Sequence, residues 1–100
     1  MAAKKRLEYS IAAGDDLESI QRYIAADNPK AATQVIENIM AAADNLLDFP
    51  MMGNPWRRAG TRKLVLKKYP YTIIYRLTTV AVFVLAVAHQ SRKHTGSEKK

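Results

Sequence analysis

The chain contains no cysteine. Disulfides, thiolate nucleophiles and cysteine-based zinc sites are excluded together, and the composition suits a reducing cytoplasm. Histidine is nearly absent too: His89 and His94 stand five apart with no carboxylate nearby, a poor metal pair, so neither metal nor cofactor is expected. Long apolar runs are missing. The longest, Val80 to Ala88, falls far short of the roughly 20 residues a membrane helix needs, and no membrane partner is expected. The stretch from Met1 to Asp16 is basic in places but holds no apolar segment of signal-peptide length. There is no HExxH, no glycine-rich phosphate loop and no internal repeat.

What remains is an ordinary globular composition, 48% hydrophobic over 100 residues. A chain of this length buries about two thirds of its unfolded surface and can hold one core. One domain is expected over 1–93, with a polar tail over 94–100.

Carboxylates are also scarce in one half. Residues 1–50 carry five Lys or Arg and eight Asp or Glu, which sums to −3. Residues 51–100 carry eleven cations and only Glu98, which sums to +10. From Arg57 to Lys93 there are nine cations and no acid. Such an uncompensated stretch produces a positive potential that attracts nucleic acid or an acidic protein.

The pattern of elements is legible. Lys5 to Ser10 alternates and reads as a short strand. Asp15 and Asp16 stand at the head of a helical pattern with Leu17, Ile20, Tyr23 and Ile24, where acids suit the positive end of the dipole. Asn28 and Pro29 read as the cap and first residue of a second helix. Its stripe is Ala32, Val35, Ile36, Ile39, Met40, Ala43, Leu46 and Leu47, and Phe49-Pro50 stops it. Met51 to Gly60 reads as a loop. Thr61–Lys67, Tyr71–Leu77 and Val80–His89 read as strands joined by tight turns, hence antiparallel hairpins. The last is apolar on both faces, as for a strand covered on both sides. The order β-α-α-β-β-β predicts an α+β fold, a helical hairpin on a small, mostly antiparallel sheet.

No catalytic set announces itself. Asp15, Asp16 and Glu18 are explained by a helix start. Arg62, Lys63, Lys67, Lys68, Arg76 and Arg92 could hold phosphates, with Tyr69, Tyr71 and Tyr75 stacking on bases. His89 has the pKa range for acid–base work near neutrality.

The segments "DDLESIQRYIAADNPKAATQVIENI", "LLDFPMMGNPWRRAGTRKLVLKKYPYTIIYRL" and "VFVLAVAHQSRK" resemble the ParE/RelE superfamily of bacterial type II toxins, ParE most closely. "FPMMG" after the second helix, "GTRKL" opening a strand and "YPYTIIYRL" before an apolar strand carry the likeness. The resemblance implies one of two activities. ParE-like members poison DNA gyrase and block replication, and RelE-like members cut messenger RNA on the ribosome. The resemblance implies that RelE-like nucleases carry an arginine in the middle strand where this chain has Thr72, and often a tyrosine or histidine near the C-terminus; this chain has no tyrosine after Tyr75, and His89 and His94 substitute only in part. A gyrase poison that is not itself an enzyme is therefore expected. The alternative is a metal-independent endoribonuclease using His89, Arg92 and Arg62. For the gyrase reading the target-binding residues are Arg58, Arg62, Lys63, Lys67, Lys68, Arg76 and Arg92. The resemblance also implies a ParD-like antitoxin wrapping the toxin, with Tyr23, Ile24, Met40, Phe49, Met51, Met52 and Trp56 as its candidate seat.

Overall fold

A computed structural model describes residues 5–90 of the chain. The expected strand opens it as β1, Arg6–Tyr9, followed by helices α1, Ile11–Ala25, and α2, Pro29–Asn45. Four further strands follow: β2, Asn54–Pro55; β3, Thr61–Val65; β4, Tyr71–Leu77; and β5, Ala81–His89. They form one sheet in the order β1-β5-β4-β3-β2. β1 runs parallel to β5, and all other neighbours are antiparallel. The α+β class, the helical hairpin and the order of the main elements are those expected.

Helix α1 begins a turn earlier than its acids suggest. Ser10 caps it, its Oγ accepting from Ala13 N at 2.9 Å and donating to Leu85 O at 2.9 Å. The first turn therefore holds no acid, and Asp15 and Asp16 lie inside the helix. Asp16 serves the sheet instead. β1 pairs with β5 only as far as Tyr9 opposite Val84, which leaves the following edge of β5 without a strand. The Asp16 carboxylate closes it by accepting from Val87 N at 2.9 Å. Burial pushes this carboxyl above its ordinary range, the Val87 bond opposes that rise, and the neighbouring Asp15 charge adds to it. For α2 the expected cap holds: Asn28 Oδ1 accepts from Ala31 N at 3.1 Å and Pro29 opens the helix.

The segment read as a loop contains a strand, the two-residue β2. Trp56 N donates to Thr61 O at 2.9 Å, so Pro55, opposite Arg62, falls between ladder bonds on an outer strand where no N–H is needed.

Alternation along the strands gives the sheet two unlike faces. Against the helices lie Leu7 and Tyr9 of β1, Leu64 of β3, Tyr71, Ile73, Tyr75 and Leu77 of β4, and Val82, Val84 and Val87 of β5. A bulge opposite Ile74 and Tyr75 leaves Leu85 outside the register and keeps Val87 on the same side as Val84. With them pack Ala13, Val35, Ile39, Ala43 and Leu46, all buried. The opposite face carries Thr61, Lys63 and Val65, then Thr72, Ile74 and Arg76, then Ala81, Phe83, Ala86 and Ala88, then Arg6 and Glu8, by the same registers. β5 is thus covered by helices on one side only. Phe83, Ala86 and Ala88 remain half-buried on the other, and its apolar character follows equally from its place between β1 and β4. No helix among the described residues is long and apolar enough to cross a membrane.

Candidate target-binding and partner-binding surfaces

Strand parity distributes the expected cations. Lys63 and Arg76 lie on the open face, while Arg62, opposite Tyr75, turns toward the helices. Arg62 is engaged there: its Nε donates to Gly53 O at 2.9 Å and its Nη2 to Met51 O at 3.2 Å. Arg58, Lys67 and Lys68 are exposed in the connections flanking β3. Lys68 Nζ lies 5.7 Å from the Tyr69 ring centroid. Arg92 lies outside the described residues, as do His94 and the tail over 94–100.

The tyrosines expected to stack on bases do not do so as a set. Tyr71 and Tyr75 are 3% and 0% exposed because their parity points them at the helices, and Tyr69 is half-buried beside them. The aromatics on the open face are Trp56 and Phe83. Trp56 extends the β2 register and meets Thr61, and Phe83 lies opposite Arg76. Sequence reasoning placed Trp56 in a loop and Phe83 inside a buried strand. The available signal was the shared parity of Thr72 and Arg76, which marks the polar side of β4.

Arg57 and Lys63 both stand over the indole of Trp56, at 4.6 and 5.9 Å from the ring centroid. Cations against an aromatic face attract it through the ring quadrupole.

Of the nuclease alternative, the two described residues, His89 and Arg62, are not brought together. His89 meets Tyr71 edge-on, ring centroids 5.2 Å apart, at one end of β4. Arg62 pairs with Tyr75, on the other flank and four residues along, about 13 Å further at strand rise. Thr72 is 7% exposed and sits between Val65 and Ala88. Among the described residues no cluster of His, Cys, Asp or Glu could hold a metal ion.

The exposed residues of the expected antitoxin seat form two groups. On the helical hairpin, Met40 borders a groove of about 350 Å³ with Leu17 and Ile36 at its floor and Glu18 and Glu37 on its rim. Tyr23 is also exposed on α1, whereas Ile24 packs on the core. The second group is the segment after α2, where Phe49, Met51 and Met52 are exposed. Its backbone is held from below. Tyr75 Oη donates to Pro50 O at 2.7 Å and accepts from Gly53 N at 3.0 Å, and Arg62 adds its two bonds. A Cβ on Gly53 would lie 2.8 Å from Tyr75 Oη and 2.9 Å from Lys63 O, so only glycine permits this approach.

Comparison with known proteins gives this arrangement a family. The family described as ParE toxin of type II toxin-antitoxin system, parDE, matches residues 7–94. A protein of Sinorhizobium fredii (strain NBRC 101917 / NGR234) named "Putative toxin Y4kP" is 38% identical over 89 residues, covering 88% of this chain and 93% of that protein. Among solved structures, a chain of the chromosomal ParDE system from P. aeruginosa superposes with a TM-score of 0.76 at 21% identity, covering 86% of this chain and 96% of that one. A chain of the intact E. coli RelBE toxin-antitoxin complex does so with a TM-score of 0.67 at 18% identity, covering 90% and 100%. At those identities the structural likeness concerns the fold. The family match and the curated relative reach further, and with the hairpin-on-sheet architecture they show that this chain belongs to the ParE family of toxins of type II toxin–antitoxin systems.

Proposed function

We propose that the chain poisons DNA gyrase and thereby blocks replication, and that a cognate ParD-like antitoxin holds it in check. The observation that carries the target is the separation of Arg62 from His89. A nucleolytic site needs its acid, base and phosphate-binding groups within reach of one scissile bond. Here Arg62 is spent on the Met51 and Gly53 carbonyls and His89 stands at the far end of β4. Thr72 supplies no charge where an arginine would clamp a phosphate. A binding poison needs no such convergence. It needs a cationic surface that recognises an acidic target, and Arg58, Lys63, Lys67, Lys68 and Arg76 supply one within the acid-free stretch from Arg57 to Lys93.

An antitoxin has two places to sit. The hairpin groove beside Met40 and the anchored Phe49–Met52 segment both present apolar area that the core leaves uncovered. The neighbouring ParDE and RelBE structures are of toxin–antitoxin systems, which supports such a partner for this chain. The cationic half suits an acidic partner segment as well.

Pulse-labelling of DNA and protein synthesis, minutes after inducing the chain in bacteria without an antitoxin, tests the target. DNA synthesis is expected to fall first, with a DNA-damage response. Protein synthesis falling first would put the ribosome in place of gyrase.

A further inference from the structure

The face of the sheet turned away from the helices lies outside the main core cluster: Thr61, Thr72 and Ala81 are buried among their neighbours there, and the larger apolar groups are only half-buried. The core draws on Ile73, Tyr75, Val82 and Val84, while the residues alternating with them, Ile74 and Phe83, stay half-buried outside it. One row crosses this face. Trp56 meets Thr61, Thr61 lies opposite Arg76, Arg76 opposite Phe83, and Phe83 opposite Glu8. The next row sets Asn54 opposite Lys63, and Lys63 opposite Ile74. Trp56 and Phe83 are thus three strand spacings apart, about 14 Å, with Arg76 and Lys63 between them. Among the described residues, the carboxylate that the strand register places on this face is Glu8, which accepts from Arg6 Nε at 2.8 Å and adds no unbalanced negative charge.

Two aromatic rings separated by cations on an open sheet are what an unpaired polynucleotide needs. Bases stack on the rings, and the phosphates between them meet guanidinium and ammonium groups. A duplex hides the flat faces of its bases and could use only the charges. An acidic protein helix would use the charges but gain little from aromatics so widely separated.

We propose that this face, centred on Trp56, Lys63, Arg76 and Phe83, is a binding site for single-stranded nucleic acid. The site shares Lys63 and Arg76 with the proposed gyrase-recognising surface and adds the two aromatic residues that the alternation of the strands assembles with them, not the tyrosines that sequence reading favoured.

Trp56 is the only tryptophan in the chain, so its fluorescence reports on this face directly. The purified full chain is titrated with a thymidine homo-oligomer of about eight nucleotides, a uridine oligomer of equal length and a duplex. Quenching by the single strands is expected, with the duplex bound more weakly. Two phosphate contacts, at Lys63 and Arg76, predict a log–log salt slope of about −1.4. By anisotropy of an end-labelled oligomer, Phe83→Leu, Trp56→Ala and Arg76→Gln each weaken binding about tenfold, while Trp56→Phe retains it. Lys30→Gln, which removes the same charge from the start of α2, leaves binding within about twofold. Thermal melts establish that each variant is folded. Preference for thymidine assigns opened DNA as the source of the strand and preference for uridine assigns RNA, and either supports the site. Absence of quenching, equal binding of the duplex, or equal loss in Arg76→Gln and Lys30→Gln would overturn it. So would quenching by an acidic amphipathic peptide but by neither oligomer. Gyrase is absent from the assay, so its outcome is separate from that of the pulse-labelling.

Discussion

The two faces of the sheet are made by the same strands, residue by residue in alternation, yet they perform opposite tasks. Ile73 is fully buried against the helical hairpin and its neighbour Ile74 is half-exposed on the other side. Tyr75 is locked by two hydrogen bonds beneath the Phe49–Met52 segment, and Arg76, next in sequence, faces the open side. In β4, then, stability and surface chemistry are separated by one step of the chain. Substitution on one side should cost folding and leave binding, and substitution on the other should do the reverse.

The sharpest test compares the two isoleucines. Ile73→Ala should destabilise the fold by about 3 kcal/mol, the usual loss for a truncated core side chain with its cavity. Ile74→Ala should cost about 1 kcal/mol or less, since part of that side chain is already in solvent. Denaturant melts of the two variants measure the difference, and equal losses would mean that the open face is covered as fully as the core.

A smaller effect is expected where the helix face supports a surface segment. Tyr75→Phe keeps the ring in the core but leaves Gly53 N and Pro50 O without their partner, a loss of about 1–3 kcal/mol. If Phe49, Met51 and Met52 receive an antitoxin, the same variant should bind it more weakly than its stability loss alone accounts for, because the seat is no longer fixed. Calorimetric titration beside a thermal melt separates the two effects.

The smallest effect concerns the edge where strand gives way to side chain. Asp16 binds its proton more tightly folded than unfolded, so its contribution to stability is greatest at low pH and is lost as pH rises through its raised folded value. Asp16→Asn removes the charge and keeps an oxygen for Val87 N. It should melt within about 1 kcal/mol of wild type at neutral pH and lack the decline that Asp16 contributes from about pH 4 upward. A variant that loses several kcal/mol would show that the ionised carboxylate is needed at the β5 edge.

Much of the fold was legible because local signals and the global arrangement agree. Asn28-Pro29 caps and opens α2, the i, i+3, i+4 stripe from Ala32 to Leu46 turns it toward the sheet, and tight turns force the β3–β4–β5 meander. Where reading failed, a tertiary partner had overruled a local preference. Asp15 and Asp16 suggested a helix start, but the start lies at Ser10, whose hydroxyl accepts from Ala13 N and donates to Leu85 O, 75 positions along the sequence from Ser10. Pro55 argued for a loop, but an edge position needs no N–H from it.

The candidate surfaces divide the same way. That the second half of the chain is cationic follows from composition alone, as does the absence of cysteine chemistry. Which cations share a face does not. Arg62 and Lys63 are adjacent and point to opposite sides, one fixing the Gly53 turn and the other standing near Trp56. Order along the chain determines the sign of the charge, the number of elements and their periods, because these depend on near neighbours. Only the folded sheet decided which side of β5 met the helices, since that strand carries apolar residues at both parities and packing against α1 and α2 had to choose between them.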